Sequence, residues 1–221
     1  NYFAGKEGDL RGKTIMITAG PTYEKIDPVR FIGNYSSGKM GFALAEECAR
    51  RGADVVLIAG PVQQKTYHSH ITRIDVESAQ DMYEAAMAQY PLVDAGILCA
   101  AVADFTPDAV ADKIKREGDE LLLHLKPTHD IAAALGKIKT PGQKLIGFAL
   151  ETNDEQRNAE GKLIRKNFDF IVLNSLNDAG AGFRYDTNKI SILSCRGRTD
   201  YPLKSKTEVA RDIIDRMIKE M

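Results

Sequence analysis

Residues 14–21 read Thr14-Ile15-Met16-Ile17-Thr18-Ala19-Gly20-Pro21, a short apolar and β-branched run that stops at a Gly-Pro pair. This pattern is typical of a buried strand that ends in a turn. Apolar residues at helical spacing follow between residues 39 and 51, and Gly52 provides a stop signal. Residues 55–59 are again continuously apolar and end at Gly60-Pro61. A strand, a helix and a strand in this order predict a parallel sheet with helices on its faces.

The same alternation continues along the chain. Further strands are predicted at residues 71–76, 95–101, 121–125, 144–148, 170–173 and 190–193. Ser78 is placed to cap a second helix, a polar helix is predicted at about residues 154–166, and Ser205 with Glu208 forms a capping box that starts a closing helix. We therefore predict one α/β domain over residues 1–221: Rossmann-like, with a mostly parallel sheet, helices on both faces and a C-terminal β extension.

Composition and charge narrow the range of functions. The 221 residues include 43% hydrophobic and 28% charged residues, as in packed globular proteins. A formal net charge of -1 gives no general attraction to nucleic acid or to an anionic membrane, so we expect small partners. Cys48, Cys99 and Cys195 form no C-x-x-C pair, which fits a reducing cytoplasm. No apolar run approaches the ~20 residues that a membrane span needs.

The segment from Gly33 to Gly41 carries two hydroxyls, glycines and a lysine directly into the first helix. Such loops expose backbone N–H groups to an anion at a helix N-terminus. The segment nearly matches the P-loop pattern, but Met40 stands where the magnesium-binding hydroxyl belongs and the first strand ends about a dozen residues earlier, so we reject that motif. An ordinary Gly-Ser connection into a helix remains the alternative.

The predicted strand at residues 95–101 runs into the small residues Cys99-Ala100-Ala101-Val102-Ala103 and then Asp104. Ligands of open α/β sheets bind at this carboxyl edge, where small residues let them approach the backbone. Asp104 is suited to hold a ribose, a base or a metal-bound water, and the alternative is a solvated turn carboxylate. Two basic clusters, at residues 113–116 and 162–166, are each either part of a site or a solvated face.

Other motifs carry little weight. Gly20-Pro21-Thr22 replaces the G-x-G-x-x-G fingerprint after the first strand, which disfavours a nicotinamide-dependent oxidoreductase. Tyr185 and Lys189 have the spacing of short-chain dehydrogenases, but they lie in turn-rich sequence, so we interpret the match as chance. His68 and His70 lack a third metal ligand. An oxidoreductase and a non-catalytic nucleotide-binding module stay open as alternatives.

Several segments together resemble bacterial phosphopantothenate-cysteine ligase, the synthetase of coenzyme A biosynthesis. They run in order from Gly20-Pro21-Thr22 through Asp27-Pro28-Val29-Arg30, Asn34, Ser36-Ser37-Gly38-Lys39-Met40-Gly41, Ala100-Ala101-Val102-Ala103-Asp104, Lys113-Ile114-Lys115, Gly147-Phe148-Ala149, Glu151-Thr152, Lys162 and Arg165-Lys166-Asn167. The match extends to about Asn174. In this family the domain is often the C-terminal half of a bifunctional protein, fused to a flavin-dependent decarboxylase.

The resemblance implies a two-step reaction. The carboxylate of 4'-phosphopantothenate attacks the α-phosphate of CTP and releases pyrophosphate; the amine of cysteine then displaces CMP from the acyl-cytidylate. The resemblance also implies Mg²⁺ and a homodimer in which the segment after Lys113 acts as a lid. Such chemistry brings anions together, so the main task is positioning and neutralisation by Lys, Arg and Mg²⁺.

The resemblance also assigns roles to individual residues. Lys113 and Asn34 are the implied catalytic residues: Lys113 stabilises charge on the reacting phosphate, and Asn34 holds the acyl-cytidylate. Arg30, Asn34 and Ala101 are the implied substrate-binding residues, and Arg30 is the one implied to aid the phosphopantothenate end. The implied nucleotide-binding residues are Cys99, Ala100, Ala101, Asp104, Lys113, His129, Asp130, Ile131, Ala132, Phe148, Lys162 and Lys166. His129 stands where the family usually has proline, and no metal-coordinating residue is assigned.

Overall fold

The structure is a computed structural model that describes residues 8–116, 118, 120–151, 155–175 and 185–221. The strands are β1 (Thr14–Ala19), β2 (Tyr23–Lys25), β3 (Phe31–Gly33), β4 (Asp54–Ala59), β5 (Ile71–Asp75), β6 (Ala95–Leu98), β7 (Phe105–Pro107), β8 (Leu125–Pro127), β9 (Lys144–Glu151), β10 (Phe170–Ser175), β11 (Thr187–Asn188), β12 (Ile190–Ser194), β13 (Gly197–Asp200) and β14 (Lys204–Ser205). The helices are α1 (Lys39–Arg50), α2 (Ala79–Gln89), α3 (Ile131–Ile138), α4 (Glu155–Arg165) and α5 (Lys206–Glu220), with a 3-10 turn at Tyr90–Leu92.

The central sheet has eight strands in the order β13-β12-β10-β9-β6-β1-β4-β5. The six strands from β10 to β5 pair in parallel, whereas β12 and β13 are antiparallel additions at one edge. Starting from β1, the chain first adds β4 and β5 on one side and then β6, β9 and β10 on the other, as in a Rossmann fold. The direction in which strands are added therefore reverses between β1 and β6. The predicted Rossmann-like sheet with a C-terminal β extension is confirmed.

Helices cover both faces of this sheet. On one face, α1 and α5 pack against Ile15 and Ile17 of β1. On the other face, α2 and α3 pack around Met16, which points the opposite way from its neighbours. Burial on both faces explains why β1 is a continuous apolar run instead of an alternating one. In the described part of the chain, no helix is both long and apolar enough to cross a bilayer.

Two strand predictions need correction. The strand predicted at residues 121–125 is wrong, because residues 121–124 have no regular structure and β8 begins only at Leu125. The side chains of Leu121 and Leu122 are largely exposed, so an apolar run here did not mean burial. The strand predicted at residues 95–101 ends at Leu98, and the chain beyond it keeps only an isolated bridge between Ala101 and Pro21.

Candidate functional site

The loops that follow β1 and β6 meet where the strand order reverses. The amide of Ala101 donates to the carbonyl of Gly20 (2.8 Å), and the hydroxyl of Thr22 accepts from the amide of Ala103 (3.0 Å). The hydroxyl of Thr128 donates to the carbonyl of Ala103 (2.7 Å) and brings in the chain before α3. These bonds join three segments at the carboxyl edge of the sheet, which is where open α/β sheets bind their ligands.

A cavity of about 410 Å³ opens at this edge next to the start of α3, and we call it the α3 cavity. It brings together these residues predicted to bind the nucleotide: Ala100, Asp104, His129, Asp130, Ile131, Ala132, Phe148, Lys162 and Lys166. The lining combines aromatic and aliphatic side chains with two lysines and two carboxylates. A pocket that combines aromatic and aliphatic surfaces with charged groups is suited to a flat base with an anionic tail.

Asp130 and Lys166 form one charged pair on the wall of this cavity. The ammonium of Lys166 lies 3.0 Å from Asp130 Oδ2, and Asp130 Oδ1 accepts from the amide of Ala133 at 3.0 Å, capping α3. Burial opposes ionisation, but the bonds from Ala133 and Lys166 hold the pKa of Asp130 below its ordinary value. His129 stacks on Tyr83 with 4.7 Å between ring centroids, so this turn is supported although it lacks the usual proline.

A second cavity of about 160 Å³ lies at the start of α1, and we call it the α1 cavity. It shares Ala100 and Phe148 with the α3 cavity. Gly38, with φ 75°, precedes the helix and has no side chain to cap it, so the first-turn N–H groups suit an anion. Residues 36–41 line this cavity, and the anion-binding role of this loop stays a prediction.

The α1 cavity contains cationic and thiol groups. Lys206, at the start of α5, is only 8% exposed, and burial together with the nearby charge of Lys39 lowers its pKa. Lys39 forms an ion pair with Asp186 at 2.6 Å. Burial raises the pKa of the Cys99 thiol to about 12, so this cysteine stays protonated at neutral pH and is not set up as a nucleophile.

Sequence reasoning missed Lys206, Asn174 and Asn188 as lining residues of the α1 cavity. The amide of Asn188 donates to the side-chain oxygen of Asn174 at 3.1 Å, which orients Asn174 at the end of β10. The capping box at Ser205 correctly marked the start of α5. The local sequence, however, does not show that this helix begins beside the α1 cavity. Residues 36–41 and 99–101, which line the cavity, precede the helix by 100 or more positions in the sequence.

Asn34 and Ala101, both predicted to bind substrate, lie in direct contact. The side-chain amide of Asn34 donates to the backbone carbonyl of Ala101 at 2.9 Å. Asn34 follows β3, whose pairing with β2 brings the chain back to the place where the strand order reverses. Ala101 lines the α1 cavity, so Asn34 is held at its rim.

Lys113 and Arg30 lie elsewhere. Both line an open groove of about 830 Å³ together with Lys115 and Arg116, and neither lines the α3 cavity or the α1 cavity. The structure therefore brings Lys113 together with Arg30, but not with the other residues predicted to bind the nucleotide. The catalytic role of Lys113 stays a prediction.

The described residues include no group of three His, Cys, Asp or Glu side chains that could hold a metal ion. Mg²⁺ is commonly bound by one or two carboxylates plus substrate phosphates. Asp104 lines the α3 cavity and is exposed, so it fits that arrangement. Asp104 and the phosphates of the nucleotide would hold the ion, which would neutralise phosphate charge.

The fold defines a Rossmann-like α/β protein with two cavities at its topological switch point. More specifically, the chain belongs to the family described as DNA/pantothenate metabolism flavoprotein C-terminal domain, which matches residues 10–221. The family resemblance found in the sequence is confirmed.

Known relatives are similar over nearly the whole chain. A cysteine/cysteine sulfinic acid decarboxylase from an unknown prokaryotic organism is 53% identical over 99% of this chain and 62% of the relative. The coenzyme A biosynthesis bifunctional proteins CoaBC are 44% identical in Haemophilus influenzae, over 99% of this chain and 54% of the relative, and 47% identical in Bacillus subtilis, over 93% and 51%. The chain thus spans between half and two thirds of these relatives.

A solved structure shows the same likeness. The crystal structure of the C-terminal domain of a coenzyme A biosynthesis bifunctional protein CoaBC is 41% identical, covers 97% of this chain and 98% of its own, and has a TM-score of 0.83. The chain therefore corresponds to the C-terminal part of such proteins.

Proposed function

We propose that this domain joins 4'-phosphopantothenate to cysteine in a CTP-dependent reaction that passes through an acyl-cytidylate. The observation that carries the proposal is that nine of the twelve predicted nucleotide-binding residues line the α3 cavity, directly beside the α1 cavity. Two adjoining cavities with shared walls allow two substrates to meet. The similarity to proteins of coenzyme A biosynthesis supports the same reaction.

Charge and hydrogen bonding at the site fit this chemistry. Lys162 and Lys166 supply positive charge for nucleotide phosphates in the α3 cavity, and Phe148 offers a ring surface shared by both cavities. Asn34 is fixed by Ala101 at the rim of the α1 cavity, and its bond to the carbonyl uses one of the two N–H donors that a side-chain amide carries. This contact supports the proposal that Asn34 binds the acyl-cytidylate while cysteine attacks.

Exposed apolar side chains support a homodimer. They occur on the β2–β3 hairpin, on β7, on the chain between β7 and β8, and on β8, which pairs with β7. The members are Val29, Phe31, Phe105, Val110, Leu121, Leu122 and Leu125. Large exposed apolar patches mark interaction sites, and a second copy of this chain would cover this one. Light scattering of the purified protein tests this, since a monomer mass at micromolar concentration would refute it.

The full protein is proposed to carry a flavin-dependent decarboxylase domain as well, and to reside in the cytoplasm. The first part of this proposal rests on the greater length of the relatives, several of which are named bifunctional. The second rests on the three cysteines, all of which are free thiols.

The decisive experiment measures pyrophosphate release by the protein with Mg²⁺, CTP and 4'-phosphopantothenate, each omitted in turn. We expect release only when all are present, and formation of 4'-phosphopantothenoylcysteine and CMP after cysteine is added. CTP should give a higher kcat/KM than ATP. CTP binding without pyrophosphate release would instead indicate a non-catalytic module, and a spectral shift of added NADPH would indicate an oxidoreductase. Release of CO₂ from cysteine would favour the decarboxylase named among the relatives.

A further inference from the structure

Asp27 is a buried carboxylate in the turn between β2 and β3, with 2% of its surface exposed. Its Oδ1 atom accepts from the backbone amides of Val29 (2.8 Å) and Arg30 (2.9 Å). Its Oδ2 atom accepts from Arg30 Nε at 2.9 Å and from the backbone amide of Ile114 at 3.1 Å. The Arg30 guanidinium and these amides hold the pKa of Asp27 well below its ordinary value, so the carboxylate is charged at neutral pH.

The bond to Ile114 crosses 87 positions of the sequence and is one of three that dock residues 110–116 on the hairpin turn. The guanidinium of Arg30 donates to the carbonyl of Ile114 at 2.7 Å, and the amide of Val110 donates to the carbonyl of Ile26 at 3.1 Å. Both backbone polar groups of Ile114 are thus engaged by the Asp27–Arg30 pair. Among residues 111–116, Ile114 is the one that is half-buried, while the others are exposed.

Docking of Ile114 also limits where the backbone of Lys113 can lie, because consecutive Cα atoms are about 3.8 Å apart. The same hairpin extends to Asn34, which lies four residues beyond Arg30 along extended chain, or about 13 Å at ~3.3 Å per residue. Asn34 is itself bonded to Ala101. The hairpin therefore connects the two residues predicted to be catalytic, with Asp27 at the Lys113 end and Ala101 at the Asn34 end.

We propose that Asp27 is a positioning residue of the ligase reaction. Its carboxylate docks residues 110–116, the Lys113 segment, on the β2–β3 hairpin that also leads to Arg30 and Asn34. This rests on the proposed function. Asp27 touches no substrate; it acts through Ile114 and Arg30. Asparagine has nearly the same shape as aspartate. The Asp27→Asn substitution, however, replaces one acceptor oxygen with an NH₂ group that faces N–H donors, and it removes the negative charge that pairs with Arg30.

The test compares Asp27→Asn with Glu47→Gln in the full-length protein. Glu47 is a matched control, because it is also a buried carboxylate paired with arginines, Arg50 and Arg51, but it lies on α1 away from the Lys113 segment. For each variant, two quantities are measured: kcat and KM for CTP in pyrophosphate release, and hydrogen–deuterium exchange of a peptide covering residues 110–116.

For Asp27→Asn we expect kcat to fall by ~10-fold or more, since small misplacements of catalytic groups have effects of this size. KM for CTP should change by less than ~3-fold, because the α3 cavity is untouched. Exchange at residues 110–116 should accelerate at least ~10-fold, because the Ile114 amide loses its acceptor. For Glu47→Gln we expect a lower melting temperature with unchanged kcat and unchanged exchange in this peptide.

A second variant, Ile114→Pro, removes the same hydrogen bond from the other side, since proline has no backbone N–H. It leaves Asp27 and its pair with Arg30 in place, so it remains informative if Asp27→Asn folds poorly. If both act through one bond, the double variant should lose no more kcat than Asp27→Asn alone.

Two outcomes would overturn the proposal: a normal kcat in Asp27→Asn, whether or not exchange is faster, or equal losses of kcat in Asp27→Asn and Glu47→Gln. An inactive wild type would instead refute the proposed function, and the exchange rates would still confirm or refute docking by Asp27.

Discussion

Replacing Gly41 with alanine should weaken the packing of α1 against β1. A Cβ atom at Gly41 would lie 2.5 Å from Ala19 Cβ and 3.1 Å from Ala19 Cα. Carbon atoms pack best at about 3.5–4.0 Å, so the first turn of α1 must move outward by about 1 Å. Ala19 is fully buried and its Cβ is attached directly to the backbone, so no side-chain rotation can relieve the contact.

The energetic consequence follows from two opposing effects. Overpacking a well-filled core has an unfavourable effect of about 1–3 kcal/mol, and replacing glycine by alanine inside a helix returns up to about 1 kcal/mol. We expect a net destabilisation of about 1 kcal/mol, which lowers the melting temperature of a chain of this size by about 2–4 °C. The rate of pyrophosphate release should fall as well, because α1 begins at the α1 cavity. We expect a decrease of about 10-fold to 100-fold, the size expected for a displacement near 1 Å.

Gly161→Ala is the matched control. Gly161 lies within α4, and a Cβ atom there would meet nothing within 4 Å. This variant should gain up to about 1 kcal/mol of stability and keep full activity. Thermal melts and pyrophosphate release of both variants decide the matter. If Gly41→Ala melts at or above the wild-type temperature, the close approach of α1 to β1 is refuted.

Three further predictions concern the charged and amide groups of the site. Lys113→Ala should slow pyrophosphate release by ~10²-fold or more, as loss of a transition-state charge contact does, and a near wild-type rate would remove Lys113 from the catalytic residues. Asn34→Asp places negative charge beside the Ala101 carbonyl and an anionic intermediate, so it should impair aminolysis more than activation. Protein-bound acyl-cytidylate should then be detectable by mass spectrometry. Equal loss of both half-reactions without this intermediate would contradict the prediction. The folded-state pKa of Asp130 is lowered, so its stabilising contribution is complete above the ordinary carboxyl pKa of about 3.9 and is lost as the pH falls through the lower folded value. The melting temperatures of wild type and Asp130→Asn should therefore differ by a constant amount above about pH 5 and converge in acid, and a gap that widens in acid would contradict this.

The central sheet was predictable because its strands are buried on both faces. Ile15, Met16 and Ile17 all contact core residues, so the sequence shows an unbroken apolar run. Helix starts were predictable where side chains cap them, as Ser78 and Ser205 do. The β2–β3 hairpin was not predictable, because its three-residue strands are too short to show a period.

The candidate site was predictable residue by residue but not in its arrangement. The resemblance assigned residues to the nucleotide and to phosphopantothenate, yet it did not show that most nucleotide residues line one cavity while Lys113 lies in a separate groove. The contact of Asp27 with Ile114 depends on the path of the chain between them, which no local pattern encodes. Long-range contacts of this kind are set by tertiary packing.

The β2–β3 hairpin also gives a physical reason for the separation of the Asn34 amide from the Arg30 guanidinium. Asn34 is held at the sheet edge beside Ala101, whereas Arg30 lies about 13 Å away along extended chain at ~3.3 Å per residue. The proposed substrate is elongated, with its reacting carboxylate at one end and its phosphate at the other. A hairpin with an amide at one end and a guanidinium at the other would hold both ends of such a molecule at once. The buried Asp27 carboxylate then serves both ends, because it fixes the turn from which Arg30 projects and the strand that leads to Asn34.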